Sequence, residues 1–409
     1  MKSFILLASA LLATSGVSAL SIGYQQPLAA LDRLTSGSEA NKVSSSDELE
    51  SLLALHKNLI EIPSISRDEH KVGQWLAEYL EGQGFTVGSH PISSDPPREN
   101  IFAYLGSSNK TRTLISSHID TVPPFWPYER RGDEIWGRGS VDAKGSVATQ
   151  IKAVESLIAS GDVKEGDVGL LFVVGEEITG DGMLAINDWG MTWEAVIFGE
   201  PTELKLASGH KGITSVKVKA HGKAGHSGYP ELGRSANHMI IPALAKLLEV
   251  EWPSSEKYGN TTCNIGRVEG GVAQNVIAEE AYALISIRIA ADKELVETKA
   301  REALLGATPD LELEFGVGGY NPVPLDHDVD GEFSSIYNFE DPNITLTGFD
   351  TIVVNYGTDV PHLHGDHKKY LYGPGSILLA HSDHEHISIA DLQEAVEGYK
   401  KLLLHALKN

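Results

Sequence analysis

Four apolar runs in this chain of 409 residues end on histidines or acids. Leu114-Ile115 leads through Ser116 and Ser117 to His118 and Asp120, and Leu171 to Val174 leads through Gly175 to Glu176 and Glu177. Val196 to Phe198 leads through Gly199 to Glu200, and Ile377 to Ala380 leads to His381. A fifth acid, Asp142, lies in the tight loop Gly139-Ser140-Val141-Asp142-Ala143-Lys144-Gly145, just ahead of an expected helix. Two histidines and several carboxylates without a thiolate suit zinc or a similar divalent ion in a catalytic site, since structural zinc prefers closed cysteine-rich shells. Two such ions about 4 Å apart, bridged by a carboxylate and a water, would acidify that water and polarise a carbonyl together. A nearby carboxylate must then take the proton. The pair Glu176-Glu177 suits this division, because neighbouring residues at a strand end point different ways: one can bind metal while the other faces the water. A lone His-x-Asp or Glu-Glu is commonly surface decoration, so the reading rests on their repeated placement after apolar runs.

Positioning these groups requires parallel strands buried on both faces, which read as continuous apolar runs and bring their carboxyl ends to one edge of a sheet. The pattern predicts strands at Thr113 to Ser117, Val168 to Val174, Ala195 to Phe198, Thr351 to Val354 and Ser376 to Ala380. Helices are expected from about Ser146 to Ala159 and from Ile389 to Leu404, with two more ahead of the first strand. This alternation implies an α/β catalytic domain whose mostly parallel sheet has helices on both faces. Near Gly209 the pattern changes. Val216-Lys217-Val218-Lys219-Ala220 alternates strictly, as a half-exposed strand does. It opens a strand, helix, strand, strand, helix, strand series, the ferredoxin-like α+β plan. The expected division is a signal peptide over 1–19, a flexible leader over 20–44, a catalytic domain over 45–208 and 319–409, and an inserted domain over 209–318.

With 41% hydrophobic and 22% charged residues, the chain lies within the range of globular proteins. Its formal net charge of -23 argues against nucleic acid and anionic membrane as partners, because phosphate contacts need a basic surface. Lys2, the apolar run Phe4 to Ala13 and the small residues Val17-Ser18-Ala19 form a secretory signal. No other apolar stretch approaches the roughly 18 residues of a membrane span, so a secreted, extracellular protein is expected. Sequons at Asn109, Asn260 and Asn343 fit that route as glycosylation sites. Cys263 is the only cysteine, which rules out an internal disulfide and suits a small buried apolar side chain.

From about Glu48 to the C-terminus the sequence resembles the zinc metallopeptidase family that includes glutamate carboxypeptidase, aminoacylase, acetylornithine deacetylase and succinyl-diaminopimelate desuccinylase. The resemblance rests on Ser117-His118-Ile119-Asp120-Thr121-Val122-Pro123, Gly137-Arg138-Gly139-Ser140-Val141-Asp142-Ala143-Lys144-Gly145, Glu176-Glu177, Gly199-Glu200-Pro201-Thr202, Gly225-His226-Ser227 and Ala380-His381-Ser382-Asp383. It implies two zinc ions, one bound by His118 and Glu200, the other by Glu177 and His381, with Asp142 bridging them. Glu176 then becomes the general base, and the carboxylate of Asp120 orients His118. By the same resemblance the inserted domain is a lid or homodimerisation domain, whose His226 reaches the developing oxyanion, with the neighbouring subunit's site as one place for it. Arg288, Asn275 and the Gly373-Pro374-Gly375 loop resemble substrate-binding positions. The planar fork of Arg288 suits a substrate carboxylate. His384 and His386 lie close by, but His381 directly follows the apolar run and fits the family pattern.

The function expected is a secreted zinc carboxypeptidase that hydrolyses an amide beside a free carboxylate in a small peptide. An aminoacylase-like deacylase acting on N-acyl amino acids needs the same metals and the same carboxylate clamp. A noncatalytic metal-binding protein is the alternative from another class, and the retention of Glu176 beside a full ligand set speaks against it.

Overall fold

The computed structural model describes residues 45–329 and 348–408. The expected signal peptide and leader, and the sequon at Asn343, lie outside the described residues.

A six-stranded sheet organises the larger part. Its strands run in the order Thr86–Ser94, Pro97–Tyr104, Val168–Val173, Thr113–His118, Ala195–Gly199, Lys368–Tyr372. The last four are mutually parallel, and the first two form an antiparallel hairpin that adds one edge. Every residue of the three central strands is buried. Because side chains alternate along a strand, Ile115, Leu170, Phe172 and Ile197 enter one core while Leu114, Leu171, Val173, Val196 and Phe198 enter the other. The first core is closed by the helices Ser45–Glu61, His70–Gly82, Lys144–Ser160 and Ile389–Lys408, which contribute Leu59, Leu76, Val154 and Leu402. A short helix, Asp181–Ile186, covers the second core together with a three-stranded sheet built from Leu206–His210, Val323–Pro324 and Thr351–Val354. Helices thus lie on both faces, unequally.

The inserted part is a four-stranded antiparallel sheet in the order Thr262–Gly270, Glu280–Ile289, Gly212–His221, Glu312–Phe315. With its helices Ala236–Leu248 and Lys293–Ala307 this is the ferredoxin-like plan. Both helices begin on a capping side chain: Ser235 accepts from the His238 N–H, and Asp292 from the Leu295 N–H. Val216, Val218 and Ala220 face the helices, while Lys219 on the opposite side pairs with Glu312 and Glu314.

One expected strand is wrong. Ser376 makes only an isolated bridge to Thr202 and Ile377 to Ala380 form turns, with Leu378 exposed, and the strand of this region is Lys368–Tyr372. Gly373-Pro374-Gly375 ends that strand, so the apolar run after it lies outside the sheet.

Candidate metal centre

Parallel strands deliver the candidate ligands to one edge. His118 is the last residue of its strand, Glu200 follows the strand Ala195–Gly199, and the turn carrying Glu176 and Glu177 follows Val168–Val173. Ser117 Oγ donates to the Gly199 carbonyl at 2.9 Å, which ties two of these strand ends together. Asp142 sits two residues ahead of the helix Lys144–Ser160, and His381 reaches the same place from the turn after Lys368–Tyr372.

The five groups converge. Asp142 lies between the two imidazoles, with Oδ1 3.0 Å from His118 Nε2 and Oδ2 3.1 Å from His381 Nε2. His381 Nε2 is also 3.0 Å from Glu177 Oε2, and His118 Nε2 is 3.8 Å from Glu200 Oε1. Donor atoms of His118, Asp142 and Glu177 all lie within 4.8 Å of one another, as do those of His118, Glu176 and Glu200. The second group includes Glu176, the expected base, so position alone leaves Glu176 close enough to serve as a ligand.

His118 Nδ1 lies 3.0 Å from the backbone carbonyl of Asp120 and 3.5 Å from its carboxylate. A carbonyl only accepts, so Nδ1 carries the hydrogen and Nε2 is left free for a metal. The main chain of Asp120 therefore makes the closer contact to His118. Its carboxylate mainly holds the acid-bearing turn, accepting from the Glu176 and Glu177 N–H groups at 3.1 and 3.3 Å and from Ser66 Oγ at 2.8 Å. That turn starts at Gly175, whose φ of 76° is left-handed and which packs directly on Arg98 and Asp181.

Charge at the site is unbalanced. Burial raises the carboxyl groups of Glu176, Glu177 and Glu200 above their ordinary range, and neighbouring acids add to it, Glu200 on Glu176 and Asp142 on the other two. Burial alone would lower the His118 imidazole, but its bonds to Asp120 and Asp142 hold it well above its usual value. Asp142 and Glu177 likewise push His381 up to about 10. The buried Glu177 Oε1 has no hydrogen-bond partner. Clustered acids, an orphaned oxygen and a set of imidazole and carboxylate donors fit a bound divalent cation.

A cleft of about 780 Å³ opens over these groups. Arg288 lines it, and its charge reaches Tyr320, which also feels Glu176. Other expected positions lie elsewhere. His226 is exposed on a loop bridged to Val276, the Ser227 N–H bonds the Asn275 carbonyl, and neither His226 nor Asn275 lines the cleft. Gly373 is buried directly behind the Glu200 backbone, where a Cβ would clash, and it does not line the cleft. Sequence reasoning missed Tyr320, Tyr356 and the Asp359–His362 pair: Tyr356 follows the strand Thr351–Val354 but is neither an acid nor a histidine, and the other three follow no apolar run. Cys263 is half-buried and its thiol is raised to about 11 by burial, so it is inert at neutral pH.

Fold and site together define a metal-dependent hydrolase of the α/β type with an inserted domain. The model of peptidase family M20/M25/M40 matches residues 114–405, and the chain belongs to that family. A probable carboxypeptidase of Aspergillus flavus is 45% identical over 87% of each chain, and one of Uncinocarpus reesii is 42% identical over 100% of this chain and 99% of its own. The fold matches a tripeptidase from Staphylococcus aureus with a TM-score of 0.70 at 20% identity, covering 88% of this chain and 99% of that one. A family M20 metallo-carboxypeptidase from Sulfolobus solfataricus matches with a TM-score of 0.66 at 17% identity over the same shares.

Proposed function

We propose that this protein is a secreted zinc carboxypeptidase that releases a C-terminal residue from small peptides. The observation that carries the reading is Arg288: half-buried in the cleft that holds the acid and histidine cluster, with no carboxylate partner among the described residues. An unpaired guanidinium set beside a hydrolytic centre is suited to the free carboxylate next to the scissile amide. The aliphatic walls Ile178, Leu184, Ile213, Val317 and Ile377 favour an apolar side chain on the residue it holds.

In this reading His118 and Glu200 would hold one zinc, Glu177 and His381 a second, and Asp142 would serve both. Ions bound there would supply Lewis acidity and a more acidic water. Glu176 would take the proton from the attacking water and return it to the departing nitrogen. Asp120 keeps Glu176 and Glu177 pointing apart by holding both of their N–H groups. His226, exposed and outside the cleft of its own chain, would serve the site of a second subunit in a homodimer. Exposed Asn109 and Asn260 are open to glycosylation on a secretory route.

Blocked dipeptides, their C-terminal amides and N-acetyl amino acids, assayed side by side, test the reading. Release of amino acid from the free-acid peptides alone supports it. Release of acetate without peptide cleavage would replace it with a deacylase.

A further inference from the structure

We infer that Arg138 and Glu385 form a buried clamp that sets Asp142 and His381 against one another. The inference rests on the reading that these two residues hold metal. The side chains of Arg138 and Glu385 are 2% and 1% exposed, and Nη1 donates to Oε2 at 2.5 Å across a sequence separation of 247 residues. Neither residue lines the cleft.

Each end of the pair reaches toward a different ligand. Glu385 Oε1 accepts from the backbone N–H groups of Val141 and Asp142, at 3.1 and 3.2 Å. Arg138 Nη2 donates to the backbone carbonyl of His381 at 3.5 Å, while Nε donates to the Pro124 carbonyl at 3.3 Å and the guanidinium lies over the Trp126 ring. The frame is sewn together as well: the Gly137 N–H donates to the Glu385 carbonyl at 3.3 Å, and His386–Ser388 pairs antiparallel with Glu134–Trp136.

His381 needs such support. It lies in turns with no strand beneath it, half its side chain is exposed, and its φ of 61° is left-handed. Asp142 must direct its two oxygens to different partners, and a ligand set of this kind works only within about 0.5 Å of its productive geometry. A buried ion pair is no sure source of stability compared with apolar packing. One whose arms end on the main chains of two ligands, from loops far apart in sequence, has a positional use. Arg138 and Glu385 are therefore positioning residues that act through Asp142 and His381.

The test measures zinc affinity by chelator competition, with kcat and KM on a cleaved peptide, for the parent, Glu385→Gln, Arg138→Lys and Val154→Ala. Val154 is buried in the helix Lys144–Ser160, and its truncation controls for lost stability alone. The clamp variants are expected to hold zinc about 10- to 100-fold more weakly. Their kcat should fall while KM stays near the parent's, because Arg288 and the cleft walls are untouched. Val154→Ala should lower the melting temperature and leave zinc affinity unchanged. If Glu385→Gln fails to fold, Arg138→Lys, which keeps the charge and loses the fork, decides. Clamp variants that bind zinc as tightly as the parent would overturn the inference. A parent that binds no zinc would overturn the underlying ligand reading, and the parent's titration alone shows which has failed.

Discussion

Replacing Arg288 by methionine removes the charge but keeps most of the apolar stem, so the cleft wall is preserved. Because Arg288 has no carboxylate partner among the described residues, no buried acid is stranded by the change. The loss is then that of the contact to substrate. A hydrogen bond to a charged group contributes about 1.5–3 kcal/mol, and the half-exposed setting of Arg288 favours the lower part of that range. At about 1.36 kcal/mol per decade, kcat/KM should fall about 10- to 50-fold. The assay compares parent and Arg288→Met on a peptide with a free C-terminal carboxylate and on its amide. The parent should prefer the acid by about that factor, and the variant should treat the two nearly alike. A variant that loses equally on both substrates, or keeps the parent's preference, would refute the carboxylate role.

Glu176→Gln should retain the parent's metal content while kcat falls by about 10²–10⁴-fold, measured by metal analysis and steady-state kinetics on one preparation. A fully active variant would remove Glu176 as the base. Gly175→Ala should lower both stability and activity, because its left-handed φ and its packing on Arg98 and Asp181 leave no room for a Cβ. Thermal melts and kcat check this. Burial lowers the imidazoles of His56 and His210 from 6.5 to about 4, so the unfolded chain binds those protons first as pH falls. Stability is therefore complete above pH 6.5 and is lost as pH drops toward 4, by up to about 3 kcal/mol per histidine at 1.36 kcal/mol per unit. Chemical denaturation from pH 7.5 to 4.5 should show this fall, and His56→Gln should flatten it by about one proton; an unchanged slope would contradict the assignment.

The central strands were legible in the sequence because burial on both faces demands unbroken apolar runs, and the candidate ligands follow them directly. The inserted sheet was legible for the opposite reason: one face meets its helices and the other meets water, so Val216 to Ala220 alternates. The strand Lys368–Tyr372 was missed since it lies at the sheet edge and opens on two lysines, a common feature of edge strands. The run before His381 misled because an apolar stretch at a cleft mouth has the composition of a buried strand. His381 was singled out from its chain position and family pattern, and it reaches Asp142 and Glu177 although the element beneath it was wrong. Asp120 kept a place at the site, with its carboxylate mainly on the Glu176–Glu177 turn. That depends on backbone N–H groups, which leave no trace in side-chain types. The Arg138–Glu385 pair joins distant loops, and no local pattern could reveal it.

The most direct test of the account is metal analysis of the purified protein, with peptidase activity followed through chelation and zinc return. Two zinc ions per chain, activity lost with the metal and restored by zinc, and loss of the second ion in His381→Ala are the predicted results. Full peptide hydrolysis by protein stripped of metal would contradict the account.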